Sequence, residues 1–210
     1  MSVTTPSKAP VTPRKGETQR EGIQLLVAIV AIMWLVEVVN ALDSQRLDGD
    51  GIYPRSVGHL WGIFTAPFLH VGFPHLIDNT IPLVVMGAII ALRGAARLAI
   101  LTLIVIVIGG LGTWLIGPSH SVTVGASGLV FGYASYLLAR GFFDHSRLEL
   151  LIGAVVAVVW GGALLSSLVP HYGVSWQGHV SGAIGGVVAA WWLAQRDAAK
   201  RSPGTAVAAR

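Results

Sequence analysis

The chain has 210 residues, of which 53% are hydrophobic and only 11% charged, with a formal net charge of +4. A soluble domain carries about 25% charged residues, so the composition points to a polytopic membrane protein, and the basic balance is spread around apolar segments rather than gathered into a nucleic-acid patch. The absence of cysteine excludes disulfides, thiolate metal sites and cysteine nucleophiles.

Residues 1–21 are polar and rich in Pro, Thr, Lys and Arg, the composition of a disordered tail. The first apolar run, 22–42, is longer than the core of a signal peptide and follows too long a leader, so it reads as a retained membrane helix. Further runs able to span a bilayer, or part of it, follow at 75–92, 98–116, 127–139, 148–169 and 179–195. Residues 197–210 form a second polar tail. The fold class is an all-α polytopic membrane protein, with six transmembrane helices in a single domain over 22–196. All of the 14 lysine and arginine residues except Arg46 and Arg55 fall on one side of these spans, which places both termini in the cytoplasm.

That orientation sends the second, fourth and sixth spans from outside to inside. His75, Asn79, Ser127 and His179 start those spans, so they meet at one depth in the outer half of the bilayer. The fourth run is short. From Ser127 to Ala139 it covers about 20 Å at 1.5 Å per residue, less than a hydrocarbon core of about 30 Å. The uncharged stretch before it, 117–124, must therefore dip into the membrane. Irregular backbone at that depth has to be packed in protein or line a wet cavity.

Ser127 lies between Gly125 and Gly128, which permit a tight turn and close backbone approach. A serine at a helix start sits beside free backbone N–H groups, suited to an oxyanion. The same serine also reads as a simple N-cap. His179 is flanked by Gly178, Gly182 and Gly186, a stripe of small residues that lets helix backbones approach closely. Tight packing of the sixth span on the fourth would bring His179 to the Ser127 hydroxyl as a general base; ordinary helix packing is the other reading. No carboxylate is specified as an orienter of His179, since Asp144, Glu149 and Asp197 lie toward the cytoplasm and neither Glu37 nor Asp78 is singled out. The expectation is a dyad. Phe131, one turn after Ser127, is placed to stack on the imidazole or to fill the core. His75 and Asn79 share a helix face at i and i+4, and both donate hydrogen bonds. A zinc site of His70, His75 and His179 is the rival arrangement, but no HExxH pattern or carboxylate ligand completes it.

The pattern His70-x4-His75-x3-Asn79, Gly125-Ala126-Ser127-Gly128 and Gly178-His179-x2-Gly182-x3-Gly186 resembles the rhomboid family of intramembrane serine proteases in its minimal six-helix bacterial form. The resemblance covers about residues 53–195. It implies Ser127 as nucleophile and His179 as base. It implies an oxyanion hole from His75, Asn79 and the Ser127 backbone N–H, with Phe131 against the base and His70 in a structural place. Residues 43–74 would form the long first external loop. It implies no cofactor and no metal, single-span membrane proteins as substrates, lipid as surroundings, no nucleic acid, and a multi-pass place in the bacterial inner membrane. No oligomeric state is specified. A silent rhomboid-like protein that escorts membrane helices is the alternative, and a small transporter is a third class. The latter should show paired repeats and charged midplane residues, and neither is apparent.

Overall fold

The computed structural model describes residues 15–171 and 173–201. Its long helices are α1 (Lys15–Leu42), α3 (Phe73–Ala91), α4 (Ala95–Ile116), α5 (Ser127–Phe143), α6 (Arg147–Ser166) and α7 (Trp176–Arg201), with a single turn, α2 (Gly62–Thr65), in the connection between α1 and α3. Among the described residues there is no β-strand; Ile52 and Thr123 form one isolated antiparallel bridge. Four helices are long and apolar enough to cross a membrane: Thr18–Leu42, Phe73–Ala91, Ala95–Ile116 and Arg147–Ser166.

The helix ends differ from the hydropathy boundaries for identifiable reasons. Residues 15–21 and 197–201, assigned above to disordered tails, are helical. Their Lys, Glu, Gln, Arg and Ala residues are good helix formers, so polarity marks where the chain leaves the hydrocarbon and not where the helix stops. The rest of both tails, 1–14 and 202–210, lies outside the described residues. α5 continues past Arg140 to Phe143. Arg140 is 4% exposed because its charge is met within the fold, by Asp144 at 2.7 Å and Glu149 at 3.5 Å. At 17 residues, about 26 Å, α5 is still short for a bilayer. α6 ends at Ser166 rather than 169. There the backbone tightens into i→i+3 bonds, Leu168 to Leu165 and Val169 to Ser166, ahead of Pro170, which cannot continue a helix.

The apolar core lies between α1, α3, α4 and α5, around Met33, Leu76, Leu83, Met86, Leu101 and Tyr133. The Tyr133 and Thr102 hydroxyls, 2.6 Å apart, satisfy each other inside it. α7 packs on both α4 and α5. Glycines make this possible: a Cβ at Gly182 would run into the Gly128 carbonyl, one at Gly186 into the Gly132 carbonyl, and one at Gly109 would lie 3.3 Å from the Gly182 Cα. One end of the bundle holds the ion pairs Arg93–Glu149, Arg97–Asp197 and Arg140–Asp144. These tie together α4, α5, α6, α7 and the turn after α3.

Candidate active site

Ser127 opens α5 because the chain before it is pinned in a shape that only glycine adopts easily. Gly125 has φ +116°, in the left-handed region. Its N–H donates to the Ala66 carbonyl at 2.9 Å, and the next N–H, of Ala126, donates to His70 Nε2 at 3.3 Å. A Cβ at Gly125 would fall 2.6 Å from His75 Cε1 and 2.8 Å from Nε2. The His75 imidazole therefore lies directly on the turn that presents Ser127. The Ile52–Thr123 bridge, with N–H···O distances of 2.9 and 3.0 Å, ties the connection between α1 and α3 to the same turn.

His179 is buried, 6% exposed, and its Nε2 lies 2.9 Å from Ser127 Oγ. Its Nδ1 lies 2.8 Å from the Ser167 carbonyl oxygen. A carbonyl only accepts, so Nδ1 carries the ring proton and Nε2 offers its lone pair to the Ser127 hydroxyl. The Phe131 ring stacks on this imidazole, with centroids 4.4 Å apart and planes 6° from parallel. The imidazole is thus held at one face and both nitrogens.

His75 accepts the Val71 N–H on Nδ1 at 3.4 Å, which in the neutral ring leaves the proton on Nε2, the nitrogen beside Gly125. Asn79 is 5% exposed. One of its amide protons bonds the His75 carbonyl at 2.9 Å, and the other has no acceptor among the described residues. A Cβ at Gly125 would lie 3.8 Å from that amide nitrogen. The three helix-start elements singled out from the sequence are therefore in one place: His75 and Asn79 on α3, Ser127 on α5, His179 on α7. A cavity of about 40 Å³ adjoins Ser127, lined by Ile52, Ile63, Val105, Ile106, Gly109 and Gly128 among others.

His70 is fully buried, with its ring centroid 5.1 Å from that of His75. Burial first, and then the neighbouring His75, pushes its pKa down to about 4. A folded-state pKa below the unfolded value of about 6.5 means stability present above pH 6.5 and lost as the pH falls through 4, up to about 3 kcal/mol. Thermal unfolding at pH 7 and pH 4.5 should show this loss, and His70→Asn should flatten it. An equal acid sensitivity in both proteins would show that His70 is not its source. All three imidazoles use, toward N–H or O–H donors, the lone pair that a metal ion would need.

Several contributors were not read from the sequence. The Ser167 carbonyl, the α4 glycines that receive α7, and Gly132 on α5 all shape the site. Arg55 stitches the connection between α1 and α3 to the end of α4, donating to the Leu115 and Gly117 carbonyls at 3.0 and 2.8 Å and to Ser119 Oγ at 2.7 Å. Gly132 and Gly109 continue the small-residue pattern and were findable by it; a main-chain carbonyl leaves no mark in a sequence. Asp144, Glu149 and Asp197 sit in the ion-pair cluster at the far end.

A family model described as Rhomboid domain matches residues 57–196. An uncharacterized protein of Mycobacterium tuberculosis is 42% identical over 96% of this chain and 89% of its own length. The putative rhomboid protease YdcA of Bacillus subtilis is 25% identical over 83% of this chain and 89% of its own. The rhomboid protease GluP of the same organism is 27% identical over 79% of this chain and 33% of its own.

Proposed function

This chain belongs to the rhomboid family of multi-pass membrane proteins, and from that premise we propose that it is an intramembrane serine endopeptidase working through a Ser127–His179 dyad. The observation that carries the reading is the 2.9 Å approach of His179 Nε2 to Ser127 Oγ, within the reach of a base and its nucleophile. Six helices cross the membrane, α5 and α7 included, with both termini cytoplasmic. The positive charges favour this orientation, as does the ion-pair cluster at the end away from the dyad. The bacterial relatives favour the cell membrane.

Ser127 Oγ attacks a substrate carbonyl, and its proton passes to His179 Nε2. The C–N bond breaks as the imidazolium returns that proton to the leaving amine. His179 then takes a proton from water, whose oxygen bonds the acyl carbon, and returns that proton to Ser127 Oγ as the ester bond breaks. The developing oxyanion is met by His75 Nε2–H, the free Asn79 amide proton and the Ser127 N–H. No metal or cofactor enters a step. A transmembrane substrate must unwind near its outer end to expose the carbonyl, so helix-weakening residues favour cleavage. The cavity of about 40 Å³ beside Ser127 has room for a small side chain.

Covalent labelling decides the matter. A fluorophosphonate adduct on Ser127 supports the dyad; a folded protein that takes no label refutes it. A silent escort would have no use for an imidazole held so that Nε2 faces a hydroxyl. Within this mechanism Asn79→Ala should lower turnover by up to about 3 kcal/mol in barrier height with the unfolding temperature nearly unchanged. Undiminished turnover would remove Asn79 from the oxyanion hole.

A further inference from the structure

α6 is the least embedded of the four candidate spans, with 17% of its apolar window buried. Among the described residues it packs substantially on α5 alone. The attachment is uneven along its length. Near its start, Glu149 is buried and paired with Arg93 and Arg140. A Cβ at Gly141 of α5 would strike Leu150, and one at Gly153 would lie 2.9 Å from the Leu137 carbonyl and 3.0 Å from the Leu138 Cα. Farther along, Trp160 and Leu164 are only partly buried against the core, Gly161 and Gly162 have nothing within 4 Å of a Cβ position, and Val158 and Leu165 are 85% and 67% exposed. Just past this loosely held half, Ser167 places its carbonyl 2.8 Å from His179 Nδ1.

We propose that the Ser167 main-chain carbonyl is the positioning third member of the site, and that His179 is a competent base only while the outer half of α6 stays against the bundle. The physical reason is the tautomer. With Nδ1–H bonded to a fixed acceptor, Nε2 keeps its lone pair toward Ser127. Without that acceptor the ring is free to flip or to move its proton to Nε2, and either change removes the base. No side chain elsewhere in the described structure takes over, since no carboxylate bonds to His179. The proposal rests on the protease reading, in which His179 is the base.

The test alters the carbonyl without altering a side chain. The α-hydroxy analogue of leucine at position 168 turns the Ser167–Leu168 amide into an ester, whose carbonyl is a weaker acceptor. It also deletes the Leu168 N–H bond to Leu165. The α-hydroxy analogue of valine at position 169 deletes the equivalent Val169 N–H bond to Ser166 and leaves the Ser167 carbonyl an amide. The expected result is a fluorophosphonate inactivation rate about three- to tenfold lower for the ester at 168 and unchanged for the ester at 169. In ¹⁵N spectra of the histidine rings, the His179 signal should report Nδ1 protonation in the native chain and a larger Nε2–H share in the 168 ester. Gly153→Ala, which forces α6 away from α5, should move both readouts the same way. Equal rates in the two esters, or a native ring protonated on Nε2, would overturn the role of the carbonyl. A folded Gly153→Ala protein with native rate and spectrum would overturn the dependence on α6. If native protein takes no label, the protease reading fails instead, and the ring spectrum still judges the Ser167 contact.

Discussion

Ser127→Ala is expected to lower cleavage of a single-span membrane substrate by at least about a thousandfold and to leave the unfolding temperature within a few degrees of the native protein. Under the proposed mechanism the loss is large because the hydroxyl forms the acyl bond, and among the described residues Ser127 Oγ is the hydrogen-bond partner of His179 Nε2. The fold should survive because little depends on the hydroxyl. Ser127 is half-buried, at the first turn of α5, and among the described residues its side chain makes one hydrogen bond, to His179. The turn before it is fixed by main-chain bonds from Gly125 and Ala126. Cleavage rate and thermal unfolding measured on one preparation check both halves. Substantial turnover surviving in a well-folded Ser127→Ala protein would mean that some other group is the nucleophile.

Gly186→Val should act the opposite way, through the fold first and activity second. Its Cβ would overlap the Gly132 carbonyl and the Ser135 hydroxyl. The carbonyl belongs to the α5 backbone, which cannot yield without moving the helix. Overpacking costs about 1–3 kcal/mol and occasionally more, the backbone overlap here falling at the upper end, and any relief separates α7 from α5, hence His179 from Ser127. The expected result is a large fall in unfolding temperature accompanied by loss of labelling at Ser127. Gly162→Val supplies the contrast, since a Cβ there meets nothing within 4 Å. It should leave stability nearly native. Equal stabilities for the two variants would show that close contact between α5 and α7 does not hold the site together.

The parts of the site that were legible in the sequence share one property: their chemistry is carried by side-chain identity at the start of an apolar run. Ser127, His179, His75 and Asn79 were each placed at a helix start, and they converge. Phe131 was placed one turn from Ser127, and it stacks on His179. The helix ends were read less well. Hydropathy reports where the chain leaves apolar surroundings, whereas a helix ends where its hydrogen bonding does, so 15–21 and 197–201 continue as helix and Arg140 stays inside α5. Glu37 shows a different limit. Nothing in the sequence specified it as a partner for the base, and it is fully buried with neither carboxylate oxygen hydrogen-bonded among the described residues. Spacing along α1 says nothing about which way a neighbouring helix turns its polar atoms.

By itself the sequence determined that this is a helical membrane protein with a serine, an imidazole and two neutral hydrogen-bond donors at the starts of three apolar segments. Hydropathy and residue chemistry are local, and each can be read one segment at a time. Tertiary structure alone decided which groups face the two ring nitrogens of His179 and how closely α7 approaches α4 and α5. Those outcomes depend on main-chain carbonyls and on the absence of side chains at Gly128, Gly132, Gly182 and Gly186. Every residue carries the same carbonyl, and a missing side chain takes its meaning only from the helix that comes to lie against it.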